Sequence, residues 1–277
     1  MPDYVVIGHV TRDLMPDGSY RAGGTATYSA LAALGLGLRV GMVTSAAPAD
    51  TPAAAGIAVA LRPAARTTTF ENIYTQGTRR QFCRTMAAPL EAADVPEAWF
   101  GARILHLGPV AGEVEPGVIA RTRGALVGVT PQGWLRRFAP DGSVHPADWP
   151  AAEAALGDAD AIILSADDLE RDAARVEDWA RWARLLVVTV GKEGAIIYHG
   201  GRQRRSPAFA VTEVDPTGAG DVFAAAFLVR LSETEDACEA AHYANCAASF
   251  VVEGIGAARI PTRDDIAWRL RHGRRRQ

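Results

Sequence analysis

Residues 212–227 read TEVDPTGAGDVFAAAF. Gly218, Ala219 and Gly220 stand directly before Asp221, and an alanine-rich helical run follows. A helix start carries N–H groups with no intrahelical partner and the positive end of the helix dipole. Small residues let a ligand approach that backbone closely. Thr217, Gly218, Ala219 and Gly220 therefore form an anion cradle suited to a phosphoryl group. Asp221 falls on the first helical turn, where a carboxylate can simply complement the dipole, worth roughly 0.3–1 kcal/mol. Yet a carboxylate beside an anion cradle repels the anion it borders, and a plain helix start needs no glycines. The pairing makes sense if a substrate hydroxyl lies between them, giving its proton to Asp221 while the N–H groups stabilise charge on a transferring phosphoryl group. The stretch points to phosphotransfer.

Around this loop the chain alternates short apolar runs with longer Ala/Leu/Arg-rich ones. Strands are predicted at 4–8, 39–44, 103–108, 125–130, 161–165, 185–190 and 195–199. Helices are predicted at 25–35, 151–157, 168–184, 221–232, 235–252 and 263–272. Near-continuous apolar strands between helices indicate a mostly parallel sheet covered on both faces. Two segments depart from that pattern. Residues 12–24 carry an Asp17-Gly18 turn signal, and 67–86 are rich in threonine and aromatics, with Gly77 at an expected turn. Both read as antiparallel hairpins, either a lid over a site or plain edge strands. Ligands of parallel α/β sheets bind beyond the carboxyl ends of the strands. Polar residues gather there: His9, Thr11 and Asp13; Gln132, Trp134 and Arg136; Asp167 and Asp168; Gly191 and Lys192.

The 277 residues, 48% hydrophobic and 22% charged, suit one α/β domain with a sizeable core. A net charge of -3 gives no argument for nucleic acid as a partner. Cys83, Cys238 and Cys246 form no CxxC pair, which argues against a disulfide framework or zinc site and for a reducing, cytoplasmic setting. No apolar stretch reaches the ~18 residues of a membrane span. The basic stretch RLRHGRRRQ (269–277) reads as a solvated terminus, with a docking tail as the alternative. Other chemistries lack their signatures: no G-x-x-x-x-G-K-[ST], HExxH or G-x-S-x-G occurs. GLGLRVG (35–41) mimics a dinucleotide loop, but it follows a helix and precedes a strand, the reverse of the required order.

VDPTGAGDVFAAAF closely resembles the C-terminal signature of the PfkB (ribokinase-like) carbohydrate kinases, and RAGGTATYSALAALGLG resembles their N-terminal Gly-Gly signature. VVTVGKEGAIIYH and ANCAASFVVEGIGA resemble the family's nucleotide-binding segments, in the same order along nearly the whole chain. The resemblance implies a ribokinase-like three-layer α/β/α sandwich with a mostly parallel central sheet and a small β lid. It implies one kinase domain over 1–277, with lid segments at about 10–24 and 67–87.

Carried over residue by residue, Asp221 would be the catalytic base, with Gly218, Ala219 and Gly220 as its anion hole. Thr189, Gly191, Gly194 and Thr217 would line the ATP ribose and phosphates, and Asn245, Gly256 and Ala257 the adenine. Lys192 would be either a phosphate contact or an exposed turn cation. Asp13, Gly23 and Gly24 would hold substrate hydroxyls, with Thr25 and Tyr28 beside them. Family members use Mg²⁺ with ATP, and several respond to a monovalent cation such as K⁺ near the loop beginning at Asp215. A homodimer through the 67–86 hairpin is conceivable on the same resemblance.

The departures are informative. Tyr28 stands where sugar-specific members often have Asn. The family's Asn-x-x-Glu element, linked to the metal, is here Ser165-Ala166-Asp167-Asp168, with Asp168 the stand-in. The segment after the second strand, SAAPADTPAAAGIAV, is short. GHVTRDLM, Tyr28, TPQGWLR and VVEGIGAARI together look like the branch containing myo-inositol kinase, with Gln132 and Arg136 as acceptor-site residues. Arg136 could equally be a solvated loop cation, and Trp134 a packing residue. The expected activity is phosphoryl transfer to a cyclitol, with a furanose sugar or a nucleoside as alternative acceptors. A non-catalytic ligand-binding relative is the rival from another class, opposed by the intact Asp221 and glycines.

Overall fold

The computed structural model describes residues 1–51, 55–75 and 78–276. In chain order its main elements are β1 (Tyr4–Ile7), β2 (Thr11–Leu14), β3 (Tyr20–Gly23), α1 (Thr25–Gly35), β4 (Val40–Ala46), β5 (Ile57–Pro63), β6 (Thr68–Thr75), β7 (Thr78–Thr85), β8 (Ile104–Leu107), β9 (Leu126–Val129), β10 (Arg136–Phe138), β11 (Val144–Pro146), α2 (Ala152–Leu156), β12 (Ala161–Ser165), α3 (Ala173–Trp182), β13 (Leu185–Thr189), β14 (Ala195–His199), β15 (Arg202–Ser206), α4 (Ala219–Thr234), α5 (Ala237–Val251) and α6 (Arg263–His272).

Nine strands form one sheet in the order β15-β14-β13-β12-β9-β8-β1-β4-β5. From β13 to β5 every neighbouring pair is parallel. Strands β14 and β15 close one edge antiparallel. Because successive side chains point to opposite faces, the apolar runs supply two cores at once. Tyr4, Val6, Val40, Met42, Ile163 and Val187 pack beneath α1, α4 and α5. Val5, Ile7, Leu105, Val129, Ile162 and Val188 pack on the other face with Phe100, Leu156, Val176 and Trp179. The result is the expected α/β/α sandwich.

The two expected hairpins join into one separate four-stranded sheet, ordered β3-β2-β6-β7. The Asp17-Gly18 turn closes as anticipated, with Gly18 N–H donating to the Met15 carbonyl at 2.9 Å. The turn expected at Gly77 lies outside the described residues. His9, just beyond β1, fastens this sheet to the main one: Nε2 donates to the Ala88 carbonyl at 2.8 Å, and Nδ1 accepts from Thr68 Oγ1 at 2.7 Å.

Several expected boundaries move for physical reasons. The helix expected over 168–184 is broken. Ser165 and Asp168 form a reciprocal capping box on a single 3₁₀ turn at 166–169; Glu170 and Arg171 then adopt left-handed φ of 55° and 57°. Asp172 caps a fresh start for α3. An acidic run offers competing N-caps, and caps end helices as readily as they begin them. Strand β15 (RQRRS) escapes the apolar criterion because it is an edge strand whose first four residues are exposed. Strand β5 follows the short segment after β4, and β10 and β11 form a small hairpin of their own. The arginine-rich end is not simply a solvated terminus. Arg275 bridges Phe209 in antiparallel fashion, and Arg276 N–H donates to the Ala208 carbonyl at 2.8 Å. Arg269 is buried, paired with Glu253 at 2.8 Å and lying over the Phe250 ring.

The ends of β1 and β8 meet closely at the rim where ligands are expected. Gly8 has room only for hydrogen, since a Cβ there would collide with the Gly108 carbonyl. Gly8→Ala is therefore expected to lower stability by about 1–3 kcal/mol through overpacking. A denaturant midpoint unchanged from wild type would show that the strand ends do not meet this tightly.

Candidate active site

A cleft of about 500 Å³ opens between the carboxyl rim of the main sheet and the four-stranded sheet. At its floor α4 begins. Gly218 caps the helix with φ 80°, a conformation that favours glycine. A Cβ at Gly218 would also run into the ring of Tyr28. Ala219 donates its N–H to the Pro216 carbonyl at 3.2 Å, closing the turn. Among the described residues the Gly220 and Asp221 amides meet no protein acceptor. These two and the Gly218 amide, which likewise meets no acceptor among the described residues, are the donors the loop offers to an anion, rather than Ala219. Gly220 faces open space: a Cβ built there meets nothing within 4 Å.

The Asp221 carboxylate is fixed from α1. Thr25 Oγ1 donates to Asp221 Oδ1 at 2.7 Å, and Ser29 Oγ donates to the Asp221 carbonyl at 3.2 Å. Thr25, expected at the substrate, lines the cleft and is also the partner of the aspartate. Loss of water around the Asp221 carboxyl pushes its pKa up to about 6. The Thr25 hydrogen bond and the Arg136 charge pull it down, while Asp168 and Asp13 push it up.

Toward the four-stranded sheet the cleft is lined by Thr11, Asp13, Asn72, Gln81, Gln132 and Arg136. Arg136 Nη1 donates to the Val110 carbonyl at 2.9 Å, and its guanidinium lies 5.7 Å from the Phe70 ring centre. That loop is shaped by Glu113, a buried carboxylate accepting N–H groups of His9, Val110 and Ala111 at 2.8, 3.0 and 2.7 Å. Gly24 lines the cleft; Gly23 does not, but it packs where a Cβ would press on Asp13 Oδ2. Tyr28 borders the cleft yet is 1% exposed, and its hydroxyl has no hydrogen-bond partner among the described residues. Its ring is sealed under Gly218, so it offers no face on which a base could stack. Trp134 is a packing residue: it donates to the Val114 carbonyl and lies against Trp149.

Toward the other end lie Thr189, Gly191, Lys192, Gly194, Thr217 and Asn245. Asn245 spends its Nδ2 on Ser206, donating to the carbonyl at 2.9 Å and the hydroxyl at 3.0 Å. Lys192 is exposed on a turn. Gly256 and Ala257, expected near adenine, do not line the cleft; Gly256 N–H donates to Asp215, and Ala257 is exposed. Asp168 is absent from the lining too. Its Oδ1 accepts from Gln132 Nε2 at 3.2 Å and its Oδ2 from Ser165 N–H at 2.8 Å, and Asp167 lines the cleft instead. Sequence reasoning missed Asn72 and Gln81, which face each other in register across β6 and β7. Strand alternation carried that signal. It also missed Phe209, Val211 and Arg276, brought in by the terminal pairing, for which no local signal exists.

A carboxyl whose folded pKa is raised makes the protein more stable where it is protonated. That gain is complete below the unfolded value near 3.8 and is lost as pH rises through about 6. Asp221→Asn cannot ionise, so it is expected to melt higher than wild type at pH 7–8. The difference should vanish below about pH 4. Equal melting temperatures at pH 8 would contradict a desolvated carboxylate here.

A family model described as pfkB family carbohydrate kinase matches residues 134–263. A cytidine kinase of Thermococcus kodakarensis is 30% identical over 269 residues, covering 84% of this chain and 89% of that enzyme. An inositol 3-kinase of Oryza sativa is 34% identical over 194 residues, 67% of this chain but 47% of the plant enzyme. A Bacillus subtilis ribokinase is 42% identical over 91 residues, about a third of either chain (32% and 31%). Among solved structures, a pyrophosphate-dependent kinase in the ribokinase family, complexed with a pyrophosphate analog and myo-inositol, superposes with a TM-score of 0.76. It is 22% identical, and the overlay covers 95% of this chain and 99% of that one. With the cytidine kinase 30% identical and matched over 89% of its own length, and with the family model over 134–263, the chain belongs to the PfkB family of carbohydrate kinases.

Proposed function

We propose that the protein transfers the γ-phosphoryl group of ATP to a hydroxyl of a small polyol, a cyclitol such as myo-inositol. The observation that carries this reading is Asp221, held by Thr25 at the cleft floor, with two free helix-start amides and the open space at Gly220 beside it. In this reading the acceptor hydroxyl gives its proton to Asp221 as its oxygen bonds to the γ-phosphorus. The bond from that phosphorus to the bridging oxygen breaks, and ADP leaves. The Gly220 and Asp221 amides stabilise the equatorial oxygens as charge shifts. A positioned base of this kind contributes roughly 10²–10⁴-fold.

On the donor side, Gly191 and Gly194 allow close approach of phosphate and ribose, with Thr189, Thr217 and Lys192 at the rim. Mg²⁺ bound with the donor would neutralise phosphate charge. Such ions are held largely by phosphates and water. Asp167, exposed on the lining and ion-paired with Arg171 at 2.6 Å, can still meet the ion through water, whereas Asp168 is held by Ser165 and Gln132.

The acceptor end supports a polyhydroxylated ligand. Asp13, Asn72, Gln81, Gln132 and Arg136 supply hydrogen-bonding groups around a compact space. The plant inositol 3-kinase relative and the myo-inositol complex of the structural neighbour point the same way. A nucleoside acceptor is the second reading, because the relative matched over most of its length is a cytidine kinase. The sealed ring of Tyr28 weighs against base stacking.

The deciding experiment is donor-dependent turnover across cyclitols, furanoses and nucleosides, each with ATP and with pyrophosphate. Turnover on a cyclitol with ATP is expected; turnover confined to nucleosides would replace the acceptor assignment. Asp221→Asn should lower turnover by at least about 10²-fold while donor binding persists. Near wild-type turnover in that variant would sink the base. Gly220→Val should keep the fold, since a Cβ there meets nothing within 4 Å, but fill the phosphate space and abolish turnover. Protonated Asp221 cannot accept a proton, so kcat/KM should fall about tenfold per pH unit below about pH 6. Thr25→Ala removes a hydrogen bond that favours the charged form and should move this acid limb to higher pH.

A further inference from the structure

Asp215 opens the phosphate loop, and three distant segments converge on its carboxylate. Arg21, on β3 of the four-stranded sheet, places Nη1 3.2 Å from Oδ2. Gly256 N–H donates to the same oxygen at 3.1 Å, and Thr217 N–H donates to Oδ1 at 3.0 Å. The Asp215 side chain is only 16% exposed. The aliphatic part of Arg21 fills the space against the 256–259 turn, where a Gly256 Cβ would stand 3.3 Å from Arg21 Cδ. Behind the carboxylate, Val214 and Asp215 N–H groups donate to the Val252 carbonyl at 2.7 and 3.2 Å, anchoring the loop to the end of α5. Burial raises the Asp215 carboxyl. The Thr217 and Gly256 hydrogen bonds and the Arg21 charge outweigh that and hold it below its ordinary value.

The family resemblance implies a monovalent cation near this loop. Such an ion needs oxygen ligands. Here both Asp215 oxygens face N–H donors, and one of those donors is itself a full positive charge. Oδ2 is taken by the Gly256 amide and the guanidinium, and a K⁺ ion placed on the remaining lone pair of Oδ1 would share its carboxylate with that guanidinium, a like charge that repels it. The residues present do not fit the ion.

We propose that Arg21 is the built-in cation of this site: its guanidinium supplies the charge that orders the 215–220 loop, so the protein needs no monovalent cation. Arg21 is a positioning residue in this account, touching the loop and not the reacting atoms. Because it sits on β3, it also ties the order of the phosphate loop to the docking of the four-stranded sheet. The consequence for turnover rests on the kinase reading above; the consequence for stability does not.

The test is a set of melting curves in KCl, NaCl and tetramethylammonium chloride at matched ionic strength, for wild type, Arg21→Ala and Arg21→Lys. An ion that binds only the folded state raises the melting temperature, by an amount that grows with the logarithm of its concentration over its Kd. Wild type is expected to melt alike in all three salts. Arg21→Ala should melt lower in tetramethylammonium and recover part of the loss in KCl, while Arg21→Lys should keep most of the wild-type value. A K⁺-specific rise in the wild-type melting temperature overturns the proposal. So does an Arg21→Ala protein whose loss is the same in every salt, the response of an ordinary structural strut. If Arg21→Ala does not fold, the wild-type curves decide together with turnover in the same salts. Equal turnover supports the built-in cation, and several-fold activation by K⁺ over tetramethylammonium overturns it. The melting curves need no acceptor, so silence on every acceptor would count against the kinase reading and leave this result standing.

Discussion

One carboxylate sits beside the open amides of the helix that carries it, and much of the cleft is arranged around that conflict. The amides of Gly220 and Asp221 attract an anion, and the Asp221 side chain repels it. A single hydrogen bond from Thr25 keeps the carboxylate in place, and it comes from a different helix. Helices α1 and α4 must therefore pack in a fixed relation before the site exists. Their shared core beneath one face of the sheet, including Ala26, Ala30, Val222 and Ala226, provides that relation through small side chains that let the helices approach.

The charges around Asp221 are balanced. Arg136 favours its ionised form, while Asp13, Asp168 and the loss of water oppose it. The outcome is a carboxyl that stays ionised at neutral pH yet holds a proton more readily than an exposed aspartate does. That suits a group that accepts a proton late in a transfer. Arg136 is in turn held by the Val110 carbonyl, in a loop organised by the buried Glu113. Glu113, far from Asp221 in sequence, thus bears on that carboxylate through the Val110 loop and Arg136.

The four-stranded sheet contributes more than cover. Its strands bring Asp13, Asn72 and Gln81 to one end of the cleft, His9 locks it to the main sheet, and Arg21 reaches back to the loop below Asp221. That end of the cleft and the 215–220 loop consequently depend on the same small sheet. This coupling suits chemistry in which water must be kept from the phosphoryl group.

The architecture and the heart of the site were legible in the chain. Near-continuous runs such as Val5–Ile7 and Leu185–Val188 indicate strands covered on both faces, and the glycines ahead of Asp221 indicate a helix start open to close approach. These are local properties, set by periodicity and by the space around one backbone. What tertiary structure alone decided was the fate of side chains that several segments compete for. Thr25 went to Asp221, Asp168 to Ser165 and Gln132, and Arg21 to Asp215. Tyr28 was closed under Gly218, and Arg276 was carried to the cleft by pairing with Ala208. The polar outcomes depend on which partner lies within about 3 Å after folding, and that of Tyr28 on which backbone packs against its ring. That distance is set by segments up to two hundred residues apart, and no window of sequence contains it.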